Sequence, residues 1–169
     1  MLSYHILGVE HSRQKLDRHL KTKLESIVEA KRTVLIAEEV NANQPDAQQK
    51  SIARDLATAR KIPWRSIDMN FKQQEDAGIK EELDHAHHQH MLGVDMYPAH
   101  AHDVREDYWL DRIEEECRAR AITDGTVLVI CGRRHPHSLA DKARKRGIND
   151  IDLSEHPAGL GKQVGEPDL

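Results

Sequence analysis

Short apolar runs alternate with amphipathic segments along most of this chain, and the alternation predicts a parallel α/β sheet. Residues 3–7 form a strand candidate, and the apolar runs at 33–37 and 126–130 are continuous, which is typical of strands covered on both faces. Between residues 7 and 33, apolar residues recur at helical spacing among charged residues. Residues 3–37 therefore predict a β-α-β unit with two parallel strands.

The same alternation continues to the end of the chain. Further helices are predicted over residues 46–61, 103–121 and 138–146, and further strands over 64–69 and 148–153. We therefore expect a single α/β domain over residues 1–156: a three-layer αβα arrangement around a mostly parallel sheet of about five strands. Residues 157–169 are expected to form a flexible C-terminal tail.

Residues 70–102 depart from this pattern, because they are polar and rich in histidine. The histidines are His85, His87, His88, His90, His100 and His102. A connection this long is usually a lid, a binding loop or partly disordered, although a helix over 79–90 fits part of it. We expect a mobile segment or a lid without a core of its own. Its histidines either chelate transition metals or form a solvated surface without function.

Charge and cysteine content narrow the function classes. The net charge of −4 leaves out 12 histidines, so its sign reverses in mildly acid solution, and no strong attraction for nucleic acid is expected at neutral pH. Cys117 and Cys131 fit buried reduced thiols. No run is long enough to cross a bilayer, and no leader of the signal-peptide type follows Met1. We expect a cytoplasmic protein with no membrane partner; the oligomeric state stays open.

Two Gly-x-x-His turns, at residues 8–11 and 132–135, directly follow predicted strands, and the run 33–37 ends in two glutamates. Glycine at a strand exit permits a sharp turn and leaves space for a ligand. Because ligands bind at the carboxyl edge of a parallel sheet, His11, His135 and one glutamate are expected to share a crevice. Adjacent residues point in different directions, so only one of Glu38 and Glu39 reaches it, and Glu38 is favoured.

These groups support two chemistries. His11, His135 and Glu38 are ligands that suit a divalent metal such as Mn, Zn or Co, which would activate a water molecule. Without a metal, the imidazoles act as general bases and a glutamate orients them. Glu39 is the alternative ligand or base, and Glu10 is either an orienting group or a surface charge. An ordinary surface turn is the plain alternative for each Gly-x-x-His.

Basic residues add candidates for substrate binding. Arg133 and Arg134 lie beside His135 and are predicted to contact an anionic substrate. The basic stretch 142–146 is more typical of a solvated helix face than of a phosphate site. Arg105 opens the helix that follows the histidine-rich segment, and its plain interpretation is a surface pair with Glu106 or Asp107.

The order of these motifs resembles a superfamily that joins TraB-type proteins, Tiki proteases, erythromycin esterases and ChaN-type haem-binding proteins. The resemblance spans most of the chain except residues 70–102, although typical members are longer. It implies an α/β core with glutamates and an arginine in one cleft, used for metal-dependent proteolysis or ester hydrolysis. Arg105 carries over as the anion or oxyanion group. The matching motifs are Gly8-x-x-His11, Glu38-Glu39, Arg105-Glu106, Gly132-x-x-His135, Ser138-Leu139 and a helix ending at Gly147.

The leading hypothesis is thus a hydrolase, metal-assisted, that acts on an amide or ester bond of a small-molecule or peptide substrate. Its site would use His11, His135, Glu38 or Glu39, Glu10 and Arg105. One alternative is a module that binds a metal, haem or a small anion without turnover. Another is a nucleic-acid-processing component of a defence or toxin system, which Arg133, Arg134 and the basic helix would serve.

Overall fold

The computed structural model describes residues 1–11, 14, 17–40, 42–44 and 50–156, and these form a five-stranded parallel sheet with helices on both faces. The strands are β1 (Leu2–Val9), β2 (Thr33–Glu38), β3 (Trp64–Ser66), β4 (Gly125–Gly132) and β5 (Ile151–Glu155). The helices are α1 (Arg18–Ala30), α2 (Ile52–Arg60), α3 (Phe71–Asp76), α4 (Lys80–Met91), α5 (Ala99–Ala119) and α6 (Pro136–Lys145). The predicted α/β class and the parallel sheet are confirmed.

The strand order, β3-β2-β4-β1-β5, places β4 at the centre between β1 and β2. Val9 is in register with Gly132, and Glu38 is in register with Ile130. The three strands that end in a Gly-x-x-His turn or in glutamates are therefore direct neighbours. Their carboxyl ends meet at one edge of the sheet, as parallel strands require.

Two hydrophobic cores lie on opposite faces of the sheet, and successive strand residues enter them alternately. Leu35 and Ala37 of β2 pack in the core that contains α5 and α6, with Trp109. Ile36, between them, packs in the core of α1 and α2, with Leu24. Because both faces are apolar, the continuous hydrophobic runs of the sequence are the signature of strands buried on two sides.

Helices α2 and α5 begin four or more residues from their predicted starts, whereas α6 begins two residues before its predicted start. Ser51 is the N-cap of α2, because its hydroxyl accepts the backbone N–H of Arg54 at 3.0 Å, so the helix begins at Ile52. Residues 46–49 of the predicted helix lie outside the described residues, as does the predicted tail 157–169. Helix α5 begins at Ala99 rather than at Asp103, whose carboxylate instead pairs with Lys142 at 2.7 Å. Within the described ranges, no helix is long and apolar enough to cross a membrane.

Residues 70–102 contain helices α3 and α4 and the first turn of α5. A capping box closes the start of α3, where Asn70 and Gln73 bond reciprocally. Ile79 and Ala101 are buried and form a small third core with Met69. Because Met69 lies outside the segment, this core joins α4 and α5 to the rest of the domain, and the expectation of a lid without a core of its own stays a prediction.

The face of α5 that meets the sheet should dominate stability. We expect Ile113→Ala to lower the free energy of unfolding by about 2–5 kcal/mol, since it leaves a cavity in a fully buried position. Leu92→Ala, at a position that is 65% exposed, should change it by less than about 0.5 kcal/mol. Denaturant titration measures both, and equal losses in the two variants would contradict this assignment of the core.

Candidate functional site

The two Gly-x-x-His turns interlock. A methyl group on Gly8 would lie 2.9 Å from Cγ of Pro136 and 3.3 Å from Cα of Arg133, both from the second turn and the helix that follows it. A methyl group on Gly132 would lie 2.9 Å from Nε2 of His11, which belongs to the first turn. Each glycine thus makes room for residues of the other turn, not for a ligand as expected. This mutual packing brings His11 and His135 to one edge of the sheet.

His135 forms a buried pair with Glu106. Its Nδ1 lies 2.7 Å from Oε1 of Glu106, which also accepts the hydroxyl of Ser138 at 2.7 Å. Because an ionised carboxylate only accepts hydrogen bonds, Nδ1 carries the proton in the neutral imidazole, and Nε2 is left as a base. The Trp109 ring packs edge-on at 4.7 Å and holds the imidazole in place.

Sequence reasoning missed Glu106, which entered only as the neighbour of Arg105, in the resemblance and as a possible surface partner of that arginine. The helical spacing of the sequence does place Glu106 on the buried face of its helix. Glu106 lies three residues before Trp109 and seven before Ile113, on the stripe of α5 that faces the sheet, and it is almost completely buried. A carboxylate on a buried helical stripe requires a partner, and His135 is that partner.

Glu39 joins three parts of the fold through one carboxylate. Its Oε2 accepts the backbone N–H of Gly132 at 2.7 Å, and its Oε1 accepts Nη2 of Arg105 at 2.6 Å. Nε2 of His11 lies 3.5 Å from the same Oε1. Burial alone would raise the pKa of Glu39, but the positive charge of Arg105, with contributions from His11 and His135, outweighs it and lowers the pKa. Glu39 is therefore ionised at neutral pH.

Arg105 is held by carboxylates on both sides. Its Nε and Nη2 donate to Oδ1 of Asp68 at 3.1 and 2.8 Å, in addition to the bond to Glu39. The guanidinium also lies 5.1 Å from the centre of the Trp109 ring, whose Nε1 donates to Asp68 at 3.2 Å. Its described partners are thus Glu39 and Asp68, not the neighbouring acids of its own helix.

Glu38 does not face the cleft, so the preference for it over Glu39 was wrong. Its carboxylate accepts hydrogen bonds from Ser51 at 2.5 Å, Trp64 at 2.8 Å and Gln14 at 3.2 Å. The side chains of β2 alternate, and position 38 falls on the face of α1 and α2. Burial raises the pKa of Glu38 to about 7, although these three donors oppose the shift.

His11 is oriented by Gln14. The amide nitrogen of Gln14 donates to Glu38 and to the carbonyl oxygen of Glu39, so its oxygen faces Nδ1 of His11 at 3.1 Å. In the neutral ring, Nδ1 therefore carries the proton and Nε2 is the base. Glu10, the predicted orienting group, lies 3.6 Å from Arg133 and lines the wall of the cavity.

A cavity of about 770 Å³ opens above this edge of the sheet. Arg133 and Arg134 lie at its wall, where Arg133 pairs with Glu10 and Glu155, and Arg134 pairs with Asp95. Helix α4 forms one side of the cavity, so part of the histidine-rich segment lines it. Five imidazoles line the cavity: His11, His87, His90, His102 and His135. A second cavity of about 440 Å³ lies on the other side of His11 and Glu39.

The residues do not fit the predicted metal site of His11, His135 and Glu38. Glu38 is committed to the other face of the sheet, and both oxygens of Glu39 already accept hydrogen bonds from Gly132 and Arg105. Among the residues that the structure describes, no group of three or more His, Cys, Asp or Glu side chains is placed to hold a metal ion.

The basic helix α6 is paired with the acidic face of α5. Lys142 contacts Asp103 and Asp107 at 2.7 and 2.6 Å. Arg146 contacts Asp107, Asp111 and Glu114 at 3.2, 2.6 and 3.1 Å. Lys142 and Arg146 therefore join α6 to α5. Because their charges are paired with carboxylates, they give less support to the alternative that the basic helix binds nucleic acid.

Comparisons with protein-family models, with curated proteins and with solved structures find no match to this chain. The resemblance to the superfamily of TraB-type proteins and Tiki proteases therefore stays a prediction. The assignment of chemistry rests on the geometry of the cavity.

The interlocked glycines make a contrasting pair of variants. Gly132→Ala pushes on the end of His11, an exposed side chain that can move, so it should cost little stability and should displace the imidazole. Gly8→Ala meets a proline ring and backbone, so it should lower the free energy of unfolding by about 1–3 kcal/mol. Unfolding titrations and the NMR signals of the His11 ring report the two effects, and equal stability losses would argue against the interlock.

Glu38 should make stability depend on pH. Its pKa is about 7 in the folded state and near the ordinary value of 4.5 when unfolded, so the folded state binds more protons between these values. The contribution is complete below pH about 4.5 and is lost as pH rises through 7, on the order of 3 kcal/mol in total. The difference in unfolding free energy between wild type and Glu38→Gln should follow this curve.

The matched control is Glu29→Gln, which makes the same substitution at an exposed position. A flat difference curve for Glu38→Gln would show that folding does not raise the pKa of Glu38.

Proposed function

We propose that this protein is a hydrolase that cleaves an ester or amide bond by attack of a water molecule, with His135 as the general base. The observation that carries the proposal is the buried His135–Glu106 pair at 2.7 Å, whose imidazole lines the cavity. An imidazole fixed through Nδ1 by a carboxylate presents a basic Nε2 in one orientation, which general base catalysis requires.

Glu106 supports the base in two ways. It selects the tautomer with the proton on Nδ1, and its negative charge stabilises the imidazolium that forms when Nε2 takes a proton from water. The hydroxyl of Ser138 bonds to the same oxygen and restrains the carboxylate. Burial of the pair strengthens this electrostatic support, since little water screens it.

Water is the nucleophile that the cavity favours. Ser138, the hydroxyl nearest in sequence to His135, is engaged with Glu106, and the sulfur of Cys131 is inaccessible. Burial, with the charges of Glu39 and Glu106, raises the pKa of Cys131 well above its ordinary value, so this thiol stays protonated. Neither group is presented to a substrate at the cavity, and a water beside Nε2 of His135 takes that role.

His11 is placed to assist departure of the leaving group. It lies beside Gly132 with its Nε2 at 3.5 Å from Glu39, so a protonated imidazole there forms an ion pair that can release its proton to a leaving oxygen or nitrogen. Arg105 holds Glu39 in position for this pair. Arg133 and Arg134, at the wall of the cavity, favour a small-molecule or peptide substrate that carries negative charge.

Binding of a small anion without turnover is the second candidate. The observation that favours it is that five imidazoles and three guanidinium groups line one cavity, since such groups can donate hydrogen bonds to an anion even where carboxylates already pair with them. It predicts tight association and no product.

Variants of the His135–Glu106 pair test the proposal. We expect His135→Ala and Glu106→Gln each to lower kcat by about 10²–10⁴-fold on a panel of p-nitrophenyl esters and aminoacyl p-nitroanilides. His137→Ala, two residues along and exposed, and Asp107→Asn, beside Glu106 and half exposed, are the matched controls and should keep full activity. Melting temperatures show whether each variant is folded.

Full activity in folded His135→Ala would overturn the assignment of the base. Association of an anion such as methylphosphonate, with no hydrolysis of any member of the panel by wild type, would support the binding function instead. Treatment with EDTA should leave hydrolysis unchanged, because the described side chains do not form a metal site.

A further inference from the structure

A second imidazole, His102, lies against His135 in the same cavity. The two ring centres are 4.5 Å apart, and Tyr97 packs edge-on against the other side of His102 at 4.8 Å. His102 is 9% exposed and lines the cavity. The aromatic packing fixes the plane of the ring, so its cavity edge has one orientation relative to His135.

The nitrogens of His102 differ from those of His135. Nδ1 of His102 is inaccessible to solvent and has no hydrogen-bond partner among the described residues, whereas Nδ1 of His135 is bonded to a carboxylate. The nitrogen of His102 that remains available to the cavity is Nε2. An unpaired buried N–H donor is costly and rare, so the proton of a neutral His102 belongs on Nε2, where water or a substrate accepts it.

Charges around His102 keep it neutral. Burial lowers its pKa to about 4, and the positive charges of Arg105 and Arg134, with any proton that His135 takes up, act in the same direction, against Glu39. His102 therefore stays an uncharged donor across the neutral range. Adjacent groups whose environments differ in this way are suited to separate acid and base roles.

We infer that His102 is a further catalytic residue of the proposed hydrolase: its Nε2–H donates to the carbonyl oxygen of the substrate and stabilises the negative charge that forms there during attack. The inference rests on the proposed function, because it assigns the electrophilic group that complements His135. Arg105, which the resemblance suggested for this role, has its charge matched by Glu39 and Asp68.

The attack of water on the carbonyl group conserves protons and electrons. One proton of water passes to Nε2 of His135 as the water oxygen forms a bond to the carbonyl carbon. The electron pair of the C=O π bond moves to the carbonyl oxygen, which accepts the hydrogen bond of His102. When the tetrahedral intermediate collapses, this pair re-forms C=O, the bond to the leaving group breaks, and the leaving group receives the proton of the His11 imidazolium. His135 then releases its proton to solvent water, and His11 takes one up from solvent.

Two substitutions separate donation from packing. His102→Phe keeps an aromatic ring between Tyr97 and His135 but removes the donor, and should lower kcat by about 10²–10³-fold with little change in KM. His102→Gln carries an amide N–H that can reach the position of Nε2, and should recover most of the loss. His100→Phe, exposed on the same helix, is the control and should have no effect. The substrate is the best p-nitrophenyl ester of the panel.

Nitrogen-15 NMR of the wild-type imidazoles tests the donor without turnover. We expect His102 to be the Nε2–H tautomer, to show no titration between pH about 5.5 and 8, and to shift its Nε2 signal when methylphosphonate is added. The Nδ1–H tautomer, titration in this range, or no response to the probe would overturn the inference.

The kinetic outcomes also distinguish the two proposals. Equal losses in folded His102→Phe and His102→Gln would overturn donation by His102 while leaving His135 as the base. Full activity in His135→Ala would overturn the proposed hydrolase. In that case, or if wild type hydrolyses no ester, the tautomer and the methylphosphonate response decide whether His102 is a donor in the cavity.

Discussion

The positions of β4, α5 and the turn after β1 around the cavity depend on one buried negative charge, the carboxylate of Glu39. It is anchored by the backbone of Gly132 on β4 and by Arg105 on α5, and it lies beside His11 from the turn after β1. Removal of one partner of such a buried pair typically costs about 3–5 kcal/mol, because the other charge is left unpaired. Loss of Arg105 would therefore disturb the fold and the cavity together, so the site is part of what holds these elements in place.

The two halves of helix α5 differ in the side chains that they present to the sheet and the cavity. In its first half, one stripe carries functional side chains at a spacing of three to four residues, which places them on one face. In its second half, the same stripe is apolar and packs in the core with Ile113. The polar stripe consists of His102, Arg105, Glu106 and Trp109. The helix thereby fixes the relative positions of Glu106, which pairs with His135, and Arg105, which pairs with Glu39.

The sequence could predict the residues of the site that directly follow a strand, because the strand fixes their position at the edge of the sheet. His11 and His135 reach one cavity because β1 and β4 are parallel neighbours in register. Glu106 and His102 were not assigned these roles, because both come from a different element, whose rotation about its axis depends on packing. The predicted start at residue 103 concealed that α5 includes His102.

Hydrophobic patterning by itself determined the α/β class, the parallel strands and the edge where the histidines meet, since continuous apolar runs and helical spacing are local properties. Tertiary structure decided the choice between Glu38 and Glu39. The run 33–37 is apolar on both faces, so its pattern contains no information about which face meets α5. That face is selected only when Arg105 and the backbone N–H of Gly132 both bond to the carboxylate of Glu39. These two partners are 66 and 93 positions away from Glu39 in the sequence.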